Sequence, residues 1–177
     1  YMGLVLRSED LSAAEDLLQE SWDYLAGLTD GTRPQAFATR QEVAGMLGEL
    51  KANHIENILA LRGDIPEQGA FPLPGNYQYA YQLIEDIRKT APDVCIGAAC
   101  YPEGHVECGS KEQDILYLKQ KVESGCDFLT TQMFFDNGVL YSFLYRILAR
   151  NIELPVIAGV MPVTNGRQIA RICRLSG

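Results

Sequence analysis

Long apolar runs are absent from this sequence of 177 residues. No stretch approaches the roughly 18 consecutive apolar residues that a membrane-spanning helix needs, and we see no basic segment followed by an apolar one that would predict a signal peptide. Positive charge is also scarce, with 15 Lys and Arg against 23 Asp and Glu and a net charge of −8. We therefore expect neither a membrane partner nor a basic face for nucleic acid.

Cysteine and histidine are few, and several common catalytic motifs are missing. The 5 cysteines are odd in number and lack the spacing of a disulfide framework, which favours a reduced, cytoplasmic protein. The sequence contains no G-x-G-x-x-G, no Walker A motif and no G-x-S-x-G elbow. Candidate functional residues must therefore be sought by their positions in the predicted fold.

Short apolar runs alternate with amphipathic segments over most of the chain. Runs that are apolar on both faces are typical of parallel strands covered by helices, and the alternation predicts an α/β fold with right-handed crossovers. The pattern alone does not choose between an open sheet and a closed barrel. The predicted strands are 57–61, 94–100, 128–132 and 155–160, and the predicted helices are 40–53, 76–89, 111–124, 138–149 and a last one after Asn165.

Two of these helices begin with capping signals. Thr39 with Glu42, and Ser110 with Gln113, each fit a capping box, and Gly125 is typical of a helix end. The apolar face of the first helix, which we expect to be buried, consists of Val43, Met46, Leu47 and Leu50.

Residues 1–37 do not follow the alternation. They contain a possible strand at 3–6, a possible helix at 12–26 and a loop or linker at 29–35. We therefore predict a strand and helix segment with a linker over 1–37, and a βα region over 38–177.

Polar residues follow each predicted strand, where parallel α/β folds bind their ligands. Arg62, Gly63 and Asp64 follow the first strand and offer a cation, a close backbone approach and a carboxylate. A salt-bridged strand end followed by a turn explains the same residues. Gln132 follows the third strand, and an amide there can both donate to and accept from a heterocycle. Gln168 lies one turn into the helix after the fourth strand and could face the same edge, although a plain βα loop with an Asn cap explains the same segment.

The loop 101–108 after the second strand is the densest polar cluster. Tyr101 and His105 suit recognition of a polar organic ligand. A metal site of Cys100, His105 and Cys108 is an alternative, but its spacing matches no standard zinc pattern, and we predict no metal. A solvated loop is the third reading. Lys111, Lys119 and Lys121 belong to the following helix, which predicts either a phosphate seat at its N-terminus or a solvated face.

Four strand-end motifs together resemble the methylenetetrahydrofolate reductase family. They are Ala60-Leu61-Arg62-Gly63-Asp64, the run 98–105 (AACYPEGH), the run 131–136 (TQMFFD) and the run 159–165 (GVMPVTN). The resemblance covers about Ala38 to Gly177. It implies a (β/α)8 barrel of the TIM type that binds FAD and reduces 5,10-methylenetetrahydrofolate to 5-methyltetrahydrofolate with NADH or NADPH as donor, in one-carbon metabolism and methionine biosynthesis.

The resemblance also implies roles for individual residues. Asp64 is the expected catalytic residue, because a carboxylate facing the folate can stabilise the cationic iminium that forms when its five-membered ring opens. Gln132 and Gln168, with Asp64, are expected to hold the folate. The expected flavin contacts are Arg62, Gly63, Asp64, Tyr79, Ala80, Tyr101, His105, Asp114 and Lys121.

Some of the family's motifs have no counterpart in this sequence. Residues 1–37 lack the Phe-Glu-Phe-Phe-Pro-Pro type segment whose Glu is the general acid, and the family's last strand and helix have no match. We therefore expect a partial barrel, arising from a fragment, from segments missing from the sequence, or from completion by a partner chain. The partners considered are a second copy in a homo-oligomer or a partner subunit. The alternative function is a non-catalytic flavin- or folate-binding subunit.

Overall fold

The computed structural model describes residues 3–4, 39–62, 76–160 and 166. The chain forms two compact units, Tyr1–Val94 and Cys95–Gly177, each of which is described by itself below. The predicted helix at 12–26, the linker at 29–35 and most of the predicted last helix lie outside the described residues. No helix in the described ranges is both long and apolar enough to cross a bilayer.

The first unit contains strand β1 (Gly3–Leu4), helix α1 (Arg40–Ala52), strand β2 (Asn57–Ala60) and helix α2 (Ala80–Thr90). β1 runs antiparallel to β2, with Gly3 opposite Leu59. The predicted capping box of α1 is confirmed, because the Thr39 N–H donates to Glu42 Oε2 at 2.6 Å and the Glu42 N–H donates to Thr39 Oγ1 at 3.2 Å.

Three of the four residues on the predicted apolar face of α1 are buried, namely Val43, Leu47 and Leu50. The expectation for Met46 is wrong: it is 38% exposed, because it lies at the edge of the apolar stripe.

Helix α2 begins later than predicted. Its first helical residue is Ala80, because Tyr79 adopts an extended backbone and its N–H donates to Gln82 Oε1 at 3.1 Å. Tyr77 is buried ahead of the helix and donates its hydroxyl proton to Asp86 Oδ2 at 3.1 Å. Arg40 pairs with the same carboxylate and lies 4.7 Å over the Tyr77 ring. This cluster ties the start of α1 to α2.

The second unit contains strand β3 (Cys95–Cys100), helix α3 (Lys111–Glu123), strand β4 (Phe128–Thr131), helix α4 (Asn137–Leu148) and strand β5 (Val156–Ile157). β3 pairs in parallel with β4, and β4 with β5. The predicted alternation of parallel strands and helices is confirmed, although β5 is shorter than the predicted 155–160. The core between sheet and helices includes Ile96, Ala98, Ile115, Leu118, Leu129, Phe143 and Ile147.

Local hydrogen bonds fix the ends of α3 where the sequence predicts them. The Gln113 N–H donates to Ser110 Oγ at 3.2 Å, so Ser110 is the N-cap. Gly125 has a φ of 105°, a left-handed conformation that glycine adopts without steric cost and that commonly ends a helix. The start of α3 therefore lies directly after the polar loop 101–110.

Candidate functional site

The carboxyl ends of β3 and β4 lie at one edge of the sheet in the second unit. Cys100 is opposite Thr131, and the Gln132 N–H donates to the Cys100 carbonyl oxygen at 2.7 Å. Because the two strands are parallel, the residues that follow them, Tyr101 and Gln132, leave the sheet side by side. The structure thus brings together two of the predicted ligand-binding positions.

Two tight turns shape the loop after β3. The Gly104 N–H donates to the Tyr101 carbonyl oxygen at 3.1 Å, and the Cys108 N–H donates to that of His105 at 2.9 Å. Gly104 has a φ of 96°, so a residue with a side chain would be strained there. The first turn folds His105 back onto Tyr101, with ring centroids 4.5 Å apart and planes at 85°.

The His105 ring has a defined orientation. Its Nδ1 accepts the Glu107 N–H at 3.1 Å, so a neutral His105 carries its proton on Nε2. The loop also forms an open depression of about 370 Å³. The residues that line it are Glu103, Gly104, His105, Val106, Cys108, Gly109, Ser110 and Lys111.

Asp114, in the first turn of α3, forms a hydrogen bond with this loop. Its carboxylate accepts the backbone N–H of His105. Burial raises the pKa of Asp114 above its usual value, and the charges of Lys121, His105 and Arg146 partly oppose that rise. A carboxylate that is half-buried among cations is a typical component of a ligand site.

Lys121 reaches the strand end from the other end of α3. Its Nζ donates to the Ala99 carbonyl oxygen at 2.9 Å and lies 5.6 Å from the centre of the Tyr101 ring. Lys119 instead pairs with Glu123 at 3.9 Å. Of the three lysines considered for a phosphate seat, only Lys111 lies at the helix N-terminus.

The alternative metal site has no support in this geometry. Cys100 is buried, and burial raises the pKa of its thiol to about 12. Within the described ranges, no three His, Cys, Asp or Glu side chains come close enough together to hold a metal ion.

The end of β4 and the loop after β3 are fixed by contacts that sequence patterns did not indicate. The buried Thr131 hydroxyl accepts the Gly159 N–H at 2.8 Å. The half-buried Gln132 side chain accepts the Met133 N–H at 3.0 Å through Oε1. Arg146 of α4 donates to the Pro102 carbonyl oxygen at 3.2 Å. Each long-range partner lies 28 or 44 residues away, too far for a local motif to reveal it.

The remaining predicted site residues belong to the first unit or lie outside the described residues. Arg62 is half-buried just beyond β2. Tyr79 is exposed next to Ala80 and stacks on Tyr81, with ring centroids 5.9 Å apart. Gly63, Asp64 and Gln168 lie outside the described residues, so their expected roles stay predictions.

Comparison with known proteins identifies the family. The methylenetetrahydrofolate reductase family model matches residues 36–177. This chain belongs to the methylenetetrahydrofolate reductase family. The family has a TIM-barrel fold, which agrees with the parallel strands and intervening helices described above.

Several curated relatives carry the same name. Methylenetetrahydrofolate reductase 2 of Saccharomyces cerevisiae is 42% identical over 114 residues, which cover 62% of this chain and 19% of the yeast protein. The 5,10-methylenetetrahydrofolate reductase of Escherichia coli is 34% identical over 139 residues, which cover 78% of this chain and 45% of the relative. The chain thus spans less than half the length of these reductases.

A solved structure shares the fold. It is a Clostridium thermocellum protein described as binding two copies of 5-methyl-5,6,7,8-tetrahydrofolic acid, with a TM-score of 0.50 and 17% identity. The match covers 78% of this chain and 45% of that one.

Proposed function

We propose that this protein reduces 5,10-methylenetetrahydrofolate to 5-methyltetrahydrofolate, with FAD as its bound cofactor and NADH or NADPH as the electron donor. Family membership supports the reaction, and the names of the Oryza sativa and Arabidopsis thaliana relatives include NADH. The observation that carries the proposal is the convergence of Tyr101, His105, Asp114 and Lys121 at the carboxyl end of β3. The family resemblance assigns all four to the flavin.

The chemistry of this group fits a flavin nucleotide. The perpendicular rings of Tyr101 and His105 offer an edge and a face to a flat heterocycle. Lys121 supplies positive charge at the strand end, and Asp114 fixes the backbone of His105. FAD, when bound, supplies the hydride-transfer chemistry, whereas these side chains bind and orient.

Folate recognition is assigned to the neighbouring strand end. The Gln132 backbone lies beside that of Tyr101, because the Gln132 N–H donates to the Cys100 carbonyl oxygen. The Gln132 side-chain amide suits the edge of a pterin, since it can both donate and accept. The solved structure of similar fold is described as binding 5-methyltetrahydrofolic acid, which is the product proposed here. Gln168 is proposed to hold the folate, and Asp64 to stabilise the iminium cation. Arg62, Gly63, Tyr79 and Ala80 are proposed to complete the flavin contacts.

The two histidines provide a matched test of the flavin site. His105→Asn removes the ring beside Tyr101, whereas His54→Asn makes the same change at an exposed residue with a φ of 56°, which asparagine tolerates. Fluorescence titration with FAD should give a dissociation constant roughly tenfold weaker for His105→Asn, the order expected for one lost ring or hydrogen-bond contact. His54→Asn should bind like the wild type. Equal affinity of all three proteins would contradict the assignment.

The folate assignments predict a different pattern. Gln132→Ala should raise the KM for methylenetetrahydrofolate and leave FAD affinity nearly unchanged, and the exposed Gln120→Ala should change neither. Asp64→Asn should retain FAD but slow reoxidation of the reduced flavin by the folate. Loss of FAD from Gln132→Ala with normal folate kinetics would count against its role, as would an unchanged rate for Asp64→Asn.

A further inference from the structure

Two cations from different helices hold the backbone on either side of Tyr101. Lys121 of α3 donates to the Ala99 carbonyl oxygen at 2.9 Å, and Arg146 of α4 donates to the Pro102 carbonyl oxygen at 3.2 Å. Pro102 itself is almost fully buried. The short segment 99–102, from which the Tyr101 side chain projects, is therefore fixed at both ends by charged donors, which form stronger hydrogen bonds than neutral ones.

Arg146 is well placed to act at a distance from the ligand. Its Nε donates to the Ser142 carbonyl oxygen at 3.3 Å, within its own helix, while its Nη2 reaches the loop. This pair of bonds fixes the guanidinium between α4 and the loop after β3. Its positive charge also acts on Asp114, whose carboxylate accepts the His105 backbone N–H.

We propose that Arg146 is a positioning residue for the flavin site. It holds the loop after β3 through Pro102 and Asp114, and it thereby sets the placement of the Tyr101 and His105 side chains. The inference rests on the proposed function, because the ligand of this loop is taken to be the flavin. Nothing in the family resemblance assigns a role to Arg146.

The charge on Asp114 links this geometry to pH. The groups that act on Asp114 are Lys121 on its own helix, His105 in the loop and Arg146 on α4, and Cys100 on β3 lies close by as a neutral thiol. Burial raises the pKa of Asp114. The ionised carboxylate accepts the His105 backbone N–H more strongly than the protonated form does. That ionised form is lost as the pH falls through the raised pKa. The positive charge of Arg146 lowers the pKa of Asp114 and so opposes the effect of burial. Removing that charge must therefore move the Asp114 titration midpoint to higher pH.

The test compares Arg146→Gln with Arg150→Gln, which removes the same charge from an exposed residue two positions beyond α4. The first readout is the ¹³C-carboxyl NMR titration of Asp114 in the flavin-free protein. The second is the FAD dissociation constant across the acid pH range. Arg146→Gln should raise the pH of the Asp114 titration midpoint. It should also shift the acid limit of FAD binding in the same direction and weaken binding at neutral pH roughly tenfold.

Two further variants separate positioning from general stability. Arg146→Lys keeps the charge and should return the Asp114 midpoint towards the wild-type value. In an Asp114→Asn background, Arg146→Gln should no longer shift the acid limit of FAD binding. Arg150→Gln should match the wild type in both readouts.

The proposal is overturned if Arg146→Gln leaves the Asp114 midpoint unmoved, whether or not affinity falls, because the residue then acts only as a scaffold. It is also overturned if Arg146→Gln and Arg150→Gln bind FAD equally well. A wild-type protein that takes up no FAD at any pH contradicts the proposed function instead, and the NMR titration still decides whether Arg146 acts on Asp114.

Discussion

Gly159→Ala tests how closely the ends of β4 and β5 approach each other. A Cβ at Gly159 would lie 2.2 Å from the Thr131 carbonyl oxygen, whereas ordinary contact begins at 3.4 Å. The obstacle is backbone, so the two strand ends must separate, and the bond from the Gly159 N–H to Thr131 Oγ1 at 2.8 Å must lengthen.

The cost follows from these two effects. Overpacking typically costs about 1–3 kcal/mol, and a lost hydrogen bond costs about 0.5–1.5 kcal/mol, so we expect a loss of about 2–4 kcal/mol. For a chain of this size that corresponds to a fall in Tm of roughly 5–15 °C. Differential scanning fluorimetry is the assay.

Gly48→Ala is the matched control. Gly48 lies within α1, and a Cβ there meets nothing within 4 Å. Alanine in an exposed helix interior is more stable than glycine by about 0.5–1 kcal/mol, so this variant should melt slightly higher than the wild type. A Gly159→Ala protein that melts within a degree of the wild type would refute the reasoning about the close approach.

Three further predictions concern the cap of α1 and two titrating groups. Thr39→Ala should destabilise the protein by about 1 kcal/mol in urea unfolding, because the Glu42 N–H loses its acceptor, the Thr39 hydroxyl. Asp114→Asn should stabilise the flavin-free protein at pH 7, because burial raises the pKa of Asp114 and ionisation then costs the folded state. That cost vanishes at a pH below the pKa of Asp114 in the unfolded chain. Urea unfolding at acid pH should therefore show a smaller difference in the free energy of unfolding between Asp114→Asn and the wild type. Burial and Asp86 raise the pKa of Tyr77 from 10.0 to about 12, so stability should fall between these pH values, and alkaline unfolding of Tyr77→Phe should show a smaller fall.

Local signals in the sequence predicted most of the helices and strands in the described part of the chain. The caps at Thr39 and Ser110 and the stop at Gly125 are set by residues within a few positions of each other, so short patterns reveal them. The first residue of a helix was predicted wrongly where a side chain near it has a partner more than one helical turn away. Tyr77 fits the helical pattern of α2 but lies before the helix, where its hydroxyl bonds Asp86.

The candidate site was only partly visible in the sequence. Tyr101, His105 and Gln132 were recognisable because they directly follow strands, and parallel strands end at a common edge. Arg146 and Thr131 were missed, since their roles depend on partners 44 and 28 residues away. Lys119 looked equivalent to Lys121 in sequence, but it pairs with Glu123 within α3.

The central proposal is that this chain provides the cofactor face of a flavin-dependent reductase, and an absorption experiment tests it most directly. The purified protein is mixed with FAD, ultrafiltered, scanned, and then followed by stopped flow with NADH or NADPH and with methylenetetrahydrofolate. The account predicts that flavin bands are retained in stoichiometric amount, are bleached by the nicotinamide donor and return when the folate is added. A protein that stays colourless after incubation with FAD would contradict it.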